Sequence, residues 1–198
     1  IVGTHLENEF IDNIKSQDNF HSGLNIKIDK KIKIHKFKEL TKLLDKEIDL
    51  IVLGISSKGI EWVSEQLGKI YKNKKIPNLL MLTKGLSIHN NNYELLVDKL
   101  KRLLADNGIN KTDISAVGGP CLAAGLANRV HSSVVIANEN IQTAKKIADM
   151  LNTSYYHTSF SNDLNGVEVS AAIKNIFSMA VGAAKGLCSK NISSDVRE

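Results

Sequence analysis

The stretch DLIVLGISSKGIEWVSEQLGKIYKNKKIPNLLMLT, residues 49–83, decides the fold. It begins with the apolar run DLIVLGIS (49–56) and ends with a second run, PNLLMLT (77–83). Three or more adjacent apolar positions in each run predict buried strands, whereas WVSEQLGKIYK (62–72) between them has the apolar spacing of a helix. A strand, a helix and a second strand in this order are typical of a parallel sheet covered by helices.

The same alternation continues along the chain to about residue 161. Three more apolar runs predict strands: ISAVGG (114–119), SSVVIAN (132–138) and TSYYHTS (153–159). Two amphipathic runs predict helices: YELLVDKLKRLLADNG (93–108) and NIQTAKKIADMLN (140–152). We therefore expect an open α/β domain over residues 1–161. Residues 162–198 are expected to begin a helical second domain, because the alternation there gives way to one long helix.

Composition argues against several classes of protein. Of the 198 residues, 42% are hydrophobic and 24% are charged, which is typical of a folded globular chain rather than a disordered one. Apolar runs stay well below the roughly 18 residues that cross a membrane, so we expect no membrane span. Cys121 and Cys188 have neither CxxC spacing nor a nearby His cluster. We therefore expect no disulfide and no metal site, and a cytoplasmic location fits best.

Much of the net charge of +5 is concentrated in NIKIDKKIKIHKFK (25–38). One interpretation is a basic patch for nucleic acid. The other is a hairpin that turns at residues 29–30, in which alternate isoleucines from Ile26 to Ile34 face inward and the lysines face water. We favour the hairpin and expect no nucleic-acid partner, because the alternation accounts for every lysine and no aromatic platform accompanies them.

Ligands of open α/β sheets bind at the carboxyl ends of the strands, so the loops there are candidate sites. Three such loops follow predicted strands: GISSKG (54–59), TKGLS (83–87) and GGPCLAAG (118–125). Lys84 could serve a site or be an ordinary surface lysine. Pro120 suits the first turn of a helix whose free amides could bind an anion or a ribose phosphate. Gly-Gly-Pro is, however, also a common turn between a strand and a helix.

The helix EVSAAIKNIFSMAVGAAKGL (168–187) carries Lys174 among apolar residues on almost every side. A charged amine is costly to bury, although its stem could run along the helix and place the amine in solvent. We expect Lys174 to lie in an apolar cleft. A lysine kept there has a lowered pKa and can exchange a proton near neutral pH, which suits a general acid or base.

Taken together, the motifs resemble NAD(P)-dependent glycerol-3-phosphate dehydrogenase over essentially the whole chain. They occur in the family's order: IVGTHLENE (1–9), VLGISSKG (52–59), LTKGL (82–86), GGPCLAAG (118–125) and NDLNGVEVSAAIKNIFSMAVGAAKGL (162–187). The last is the most specific, because it is similar to the family's D-x-x-G-x-E-x-x-x-A-L-K-N-V run. The resemblance implies a Rossmann-like doubly wound sheet that lacks its first strand, followed by the first long helix of an all-α domain.

The resemblance also implies roles for individual residues. Lys174 would be the catalytic lysine, which takes the proton from the C2 hydroxyl and returns it, and Lys84 would hold the developing alkoxide beside the nicotinamide. Substrate contacts are implied for Lys84, Gly119, Cys121 and Asn175, and contacts with NAD or NADP for Thr4, His5, Ser56, Lys84 and Ala123. Neither cofactor is favoured, because no acidic side chain follows Thr4 and His5 until Glu7.

The chain departs from the family pattern at several places. Cys121 stands where the family usually has Ser or Thr, and Gly125 stands where a Glu is usual. The family's GxGxxG motif and its Arg-Asn pair for the substrate phosphate do not occur. Both ends therefore look like cuts through a longer protein, and we expect residues 1–198 to be inactive alone.

These observations lead to three hypotheses. The first is an enzyme that interconverts sn-glycerol 3-phosphate and dihydroxyacetone phosphate, supplies a phospholipid precursor, and has a phosphorylated small molecule as its partner. The second is a related dehydrogenase that acts on another hydroxy acid or on a sugar. The third is a non-catalytic remnant that serves as an interaction module. The sequence leaves homodimerisation open.

Overall fold

The computed structural model describes residues 1–195, with side chains as far as residue 188; residues 196–198 of the predicted second domain lie outside the described part. Nine strands occur in the described residues: β1 (Phe20–His21), β2 (Ile26–Lys27), β3 (Leu50–Leu53), β4 (Asn78–Met81), β5 (Leu86–His89), β6 (Asn92–Leu95), β7 (Ile114–Gly118), β8 (Ser132–Ala137) and β9 (Tyr156–Ser161). Seven α-helices occur there: α1 (Asn8–Ser16), α2 (Leu40–Leu44), α3 (Ile60–Tyr71), α4 (Leu96–Asp106), α5 (Ala123–Ala127), α6 (Ile141–Leu151) and α7 (Leu164–Asp195).

Five of the strands form the main sheet, in the order β3-β4-β7-β8-β9. The pairs β3–β4, β4–β7 and β8–β9 are parallel, whereas β7 and β8 are antiparallel, with Gly118 opposite Val135. The predicted parallel sheet is therefore wrong at the β7–β8 pair. A parallel pair needs a long crossover, but the connection between these strands contains only the five-residue α5, which is too short to return the chain to the opposite edge.

The reversal at β8 decides which strand ends meet. The carboxyl ends of β3, β4 and β7 lie at the same edge of the sheet as the amino ends of β8 and β9. We call this edge the active edge. Side chains at the beginning of β8 and β9 can therefore share a site with the loops that follow β4 and β7.

Helices cover both faces of the sheet, so the predicted doubly wound α/β fold is confirmed. Successive strand residues face opposite sides, and in β4 Leu79 belongs to one core cluster and Leu80 to the other. The larger cluster lies under α3 and α4 and includes Ile60, Leu67, Leu79, Met81, Leu96, Leu100 and Leu104. The smaller cluster lies under α6 and consists of Leu80, Val117, Val134, Ile136, Ile147 and Ala148.

The helix predicted over residues 93–108 begins later, at Leu96. Its first residues belong instead to β6, which pairs with β5 as an antiparallel hairpin. The turn is made by Asn90 and Asn91, which have φ angles of 49° and 62°. Asparagine tolerates this left-handed conformation and favours such two-residue turns. The signal was present in the sequence, but the leucine spacing dominated the prediction.

The hairpin predicted over residues 25–38 is also wrong. β2 pairs with β1, which precedes it, and His35 pairs in parallel with Val2. The predicted burial of the alternate isoleucines is right for Ile34, which is buried against α1, and wrong for Ile32, which is 44% exposed. A short parallel pair of residues 1–3 with residues 33–35 replaces the expected second arm of the hairpin.

Helix α7 leaves the sheet after its first turns. Leu164 and Glu168 are buried, whereas Ile176, Phe177 and Met179 are 63–74% exposed. The segment Leu164–Cys188 is long and apolar enough to cross a membrane by length and composition, with a mean hydropathy of 1.2 and 6% of it buried. Apolar helices that are buried between other helices of a larger protein meet the same criterion.

Candidate active site

Lys84 lies at the active edge, three residues beyond the end of β4. Its Nζ donates a hydrogen bond to the carbonyl oxygen of Gly119, 3.0 Å away, in the loop after β7. The neighbouring Thr83 Oγ1 donates to the carbonyl oxygen of Ile55, 2.6 Å away, in the loop after β3. The loop that carries Lys84 is therefore tied to the loops on both sides of it.

The surroundings of Lys84 favour its neutral form. Burial lowers the pKa of this amine from its ordinary value, and the positive charge of Lys174 lowers it further. Cys121 acts in the opposite direction. The thiol therefore lies close enough to affect the lysine. An amine with a lowered pKa can donate and accept a proton closer to neutral pH than an exposed lysine can.

Gly119 provides the oxygen that holds Lys84, and its backbone conformation requires glycine. Its φ is +140°, and an added Cβ would lie 2.7 Å from the carbonyl oxygen of Ser133 and 2.9 Å from the Cα of Val134. Both atoms belong to the backbone of β8, so they cannot move aside cheaply. The loop after β7 therefore passes directly over the beginning of β8.

Helix α7 begins beside this loop. The Asp163 carboxylate accepts a hydrogen bond from the backbone N–H of Gly166 at 2.8 Å and so caps the first turn. Val167 then packs against Gly118, where an added Cβ would lie 2.7 Å from the valine Cγ1. This close approach brings α7 across the end of β7 and places Lys174 at the active edge.

Lys174 and Lys84 line the same cavity, which has a volume of about 600 Å³. Lys174 was expected to be buried in an apolar cleft; it lines this cavity, but its residue is exposed among the described parts of the chain. Ile176, Phe177 and Met179, which follow it on α7, are exposed as well. Of the residues that line the cavity, Lys84 has a lowered pKa, caused first by its burial.

Gly119 also lines the cavity, and three serines that the sequence analysis missed complete its polar wall. They are Ser133 of β8, Ser159 of β9 and Ser170 of α7. Only loops that follow strands were predicted as candidate sites, because all strands of the sheet were expected to be parallel. Because β8 is antiparallel to β7, Ser133 near the start of β8 faces the cavity together with Ser159 of β9, which pairs with Val135. The signal available in the sequence was the serines of these strands, Ser132 and Ser133 in β8 and Ser159 and Ser161 in β9.

Other predicted site residues lie elsewhere. Cys121, Ala123 and Asn175 are not among the residues that line the cavity. Cys121 is half-buried against the smaller core cluster, and Asn175 is exposed on α7. Ser56 is exposed at the start of the single turn after β3. The proposed roles of these residues remain predictions.

Thr4 lines a second and larger groove of about 940 Å³, which we call the edge groove. One wall is β3, the edge strand of the sheet, and the other is the pair formed by residues 1–3 and 33–35. His5 packs near two rings that line this groove, with its ring centroid 5.3 Å from that of Trp62 and 6.1 Å from that of Phe37. These rings offer flat surfaces on which a planar heterocycle could stack.

The cavity can hold a small anion whose oxygen lies between two amines. Such an arrangement stabilises an oxygen that becomes negative during a reaction, and one of the amines can exchange a proton with it. The hydroxyls of Ser133 and Ser170 can donate hydrogen bonds to further oxygens, whereas Ser159 Oγ donates to the carbonyl oxygen of Val134, 3.3 Å away. In the described part of the chain, no three His, Cys, Asp or Glu side chains are arranged to hold a metal ion.

Comparison with known proteins identifies the family. Residues 4–144 match the family described as NAD-dependent glycerol-3-phosphate dehydrogenase N-terminus. A glycerol-3-phosphate dehydrogenase [NAD(P)+] from Rickettsia typhi is 36% identical over 137 residues, which are 69% of this chain and 40% of the relative. An NADP(+)-dependent glycerol-3-phosphate dehydrogenase from Archaeoglobus fulgidus is 26% identical over 186 residues, 94% of this chain and 53% of that protein.

The fold agrees with this result. A crystal structure of glycerol-3-phosphate dehydrogenase from Coxiella burnetii superposes with a TM-score of 0.73 at 20% sequence identity. The superposition covers 94% of this chain and 54% of that structure. The chain thus spans about half or less of the length of the relatives it matches.

Proposed function

The chain belongs to the NAD-dependent glycerol-3-phosphate dehydrogenase family, and from this membership we propose that it forms the central part of an enzyme that interconverts sn-glycerol 3-phosphate and dihydroxyacetone phosphate. NAD or NADP would be the hydride carrier. The product would feed phospholipid synthesis in the cytoplasm. The phosphorylated substrate is the partner that the site is proposed to bind.

One observation carries this proposal: Lys84 and Lys174, from separate elements, line one cavity at the active edge. Burial and then the charge of Lys174 lower the pKa of Lys84, so the Lys174 amine lies close enough to influence Lys84. Two amines so placed attract an anionic substrate when they are protonated, and they can donate hydrogen bonds to an oxygen that becomes negative during the reaction. An interaction module would have no need to hold two like charges at one cavity.

In the proposed mechanism, Lys174 as the neutral amine accepts the proton of the C2 hydroxyl during oxidation, and the resulting ammonium group returns it during reduction. Lys84 donates a hydrogen bond to the same oxygen as it becomes negative. The Gly119 carbonyl, which already accepts from Lys84 Nζ, fixes the direction of that amine. This prior orientation avoids reorganisation at the moment of reaction. The serine hydroxyls of the opposite wall would bind the remaining substrate oxygens.

The residues present fit part of the nicotinamide dinucleotide. Lys84 would lie beside the nicotinamide at the active edge, and Thr4 and His5 would meet the adenosine end, where Trp62 and Phe37 supply ring faces. The group would accept the hydride from C2 in one direction and supply it in the other. The pyrophosphate needs a glycine-rich turn at a helix N-terminus, and no GxGxxG occurs in residues 1–198.

We further propose that residues 1–161 form the larger part of the cofactor domain and that α7 begins a helical substrate domain. Two features support this division. Among the described residues, β3 pairs with β4 on one side, and its other side faces the edge groove, where one more strand could pair with it. The apolar residues of α7 beyond Lys174 are exposed, as expected of a helix that other helices would cover.

The test is an assay of NADH and NADPH oxidation with dihydroxyacetone phosphate, using the complete gene product. Wild type should turn over, and Lys174→Ala should lower kcat at least a hundredfold, because the proton relay is lost. Lys185→Ala, an exposed lysine three turns further along α7, is the matched control and should retain wild-type activity. Absence of turnover in the wild type, or full activity of Lys174→Ala, would refute the proposal.

A further inference from the structure

The amino end of α4 is buried and has no cap of its own. Leu96 and Val97 are 1% and 0% exposed, so water cannot bond their backbone N–H groups. The N-cap position is Leu95, whose side chain cannot accept a hydrogen bond. The first backbone N–H groups of a helix have no partner within the helix, and leaving one unpaired in the interior is costly. A partner must therefore come from outside α4.

That partner is Glu168 of α7. Its Oε1 and Oε2 lie 3.3 and 3.4 Å from the backbone nitrogen of Val97, which donates to them across 71 residues of sequence. The side chain is buried, with 5% of the residue exposed. A carboxylate at this position also interacts favourably with the positive end of the helix dipole.

Glu168 is also the last buried residue of α7 within the part whose side chains are described. Beyond it the helix is increasingly exposed. Lys174 follows six residues later, or about 9 Å along the helix axis. The height and rotation at which α7 presents Lys174 to the cavity therefore depend on how firmly the turn at Glu168 is held.

The contact joins the two segments that carry the lysines. Lys84 is followed directly by the β5–β6 hairpin and then by α4, whose second residue is Val97. A bond from Glu168 to Val97 thus ties the helix with Lys174 to the segment that begins at Lys84. We propose that Glu168 is a positioning residue, which fixes Lys174 relative to Lys84 by capping α4 from α7.

The electrostatic surroundings of Glu168 are consistent with this role. Burial raises the pKa of its carboxyl group to about 7, and the nearby charge of Asp98 acts in the same direction. The backbone N–H groups of Val97 and Leu96 and the charge of Lys101 act in the opposite direction. Either protonation state retains an oxygen that accepts from Val97.

The test uses the complete gene product and three variants. Glu168→Ala removes the cap, Glu168→Gln keeps one accepting oxygen, and Glu65→Ala, an exposed glutamate on α3, is the control. In Glu168→Ala, hydrogen exchange should be at least tenfold faster at the Val97 amide and in residues 164–174, while β4 and β7 stay within twofold of wild type. Glu168→Gln should recover most of this protection, and Glu65→Ala should change neither.

Kinetics provide the second readout, and it rests on the proposed function. In Glu168→Ala, kcat should fall at least tenfold while the KM for the nicotinamide cofactor stays within twofold, because only the helix with Lys174 moves. Unchanged exchange at Val97, faster exchange throughout β4 and β7, or an unchanged kcat would each overturn the inference. If wild type does not reduce dihydroxyacetone phosphate, the proposed function fails, and the exchange data alone then decide whether Glu168 holds α7.

Discussion

Gly119 lies between the two halves of the candidate site, with a φ of +140° that side chains other than glycine rarely adopt. Gly119→Ala would place a Cβ against the backbone of Ser133 and Val134. We expect the substitution to lower the free energy of unfolding by about 2–4 kcal/mol, because backbone strain and a backbone clash combine. Urea denaturation followed by circular dichroism would measure the change.

The control for this prediction is Gly182→Ala on α7. Apart from the backbone of its own helix turn, no atom of the described residues lies within 4 Å of a Cβ added there, and the residue is in a helix interior. Replacement of glycine by alanine there should therefore raise the free energy of unfolding by about 0.5–1 kcal/mol, because alanine has the higher helix propensity and no strain is introduced. If both variants changed stability equally, the requirement for glycine at position 119 would be disproved.

The buried carboxyl group of Glu168 makes stability depend on pH. Its pKa is raised to about 7 by burial, so between pH 4.5 and 7 the folded protein keeps a proton that the unfolded chain has released. The free energy of unfolding should therefore fall as pH rises through this window and level off above it. We expect a contribution of about 2 kcal/mol between pH 5 and pH 8, because this interval covers most, but not all, of the shift and one pKa unit corresponds to about 1.4 kcal/mol.

Urea denaturation at pH 5 and pH 8 would measure this contribution. Glu168→Gln cannot titrate, so the difference between the two pH values should be smaller in that variant than in wild type by about 2 kcal/mol. Glu65→Gln, on the exposed side of α3, should show the wild-type difference. Identical pH dependence in wild type and Glu168→Gln would contradict a raised carboxyl pKa.

At the level of elements, the crossing of α7 over β7 depends on a small residue in the strand. Gly118→Ala would bring a Cβ to 2.7 Å from Val167 Cγ1, so α7 would have to shift away from the sheet. We expect a loss of about 1–3 kcal/mol, as for other overpacked contacts. Val167→Ala should relieve the clash, so the double variant should be more stable than the sum of the single effects by about 1 kcal/mol.

This double-mutant cycle would be followed by thermal unfolding of the four proteins. Additive effects would mean that α7 and β7 do not make the contact. Because Lys174 is carried by α7, kcat of the complete enzyme should fall in Gly118→Ala and recover in the double variant. A second cycle that pairs Gly118→Ala with Leu126→Ala, on α5, should be additive, because Leu126 is not among the close neighbours of the added Cβ.

The elements that sequence patterns predicted best are those with long periodic runs. The strands that became β3, β4 and β7 and helices α3 and α6 were predicted close to their observed positions, because buried apolar runs and helical spacing are local signals. The hairpin of β5 and β6 was missed, since its strands have only four residues each. Strand direction at β8 was also missed, because it depends on the tertiary path of the chain after β7.

The same distinction explains the site. Lys84, Gly119 and Lys174 belong to short recognisable motifs, so the sequence could propose them, although their roles remain predictions. Ser133 and Ser159 belong to ordinary strands and reach the cavity only because β8 reverses direction. Apolar neighbours in the sequence suggested a buried Lys174, but Ile176, Phe177 and Met179, which follow it on α7, are exposed. Burial is a property of the whole molecule.

At the scale of the whole molecule, β3 is an edge strand of the main sheet in the described part of the chain. The strand pairs only with β4, and its Val52 is 46% exposed beside the edge groove. An unpaired edge strand with apolar side chains exposes hydrogen-bonding groups that another strand can pair with. We propose that the complete polypeptide places one more strand there. Val52 would then be covered in the complete protein and partly open in residues 1–198 alone.

The substitution Val52→Lys distinguishes these two environments. In residues 1–198 alone it should change the free energy of unfolding by no more than about 0.5 kcal/mol, because the side chain can reach water. In the complete gene product it should lower the free energy of unfolding by about 2 kcal/mol or more, because the lysine charge would then be buried without a partner. Met150→Lys, on α6 and 48% exposed, should be tolerated in both proteins. If the complete protein tolerated Val52→Lys as well as it tolerates Met150→Lys, no strand would cover this edge, and the proposed completion of the sheet would be wrong.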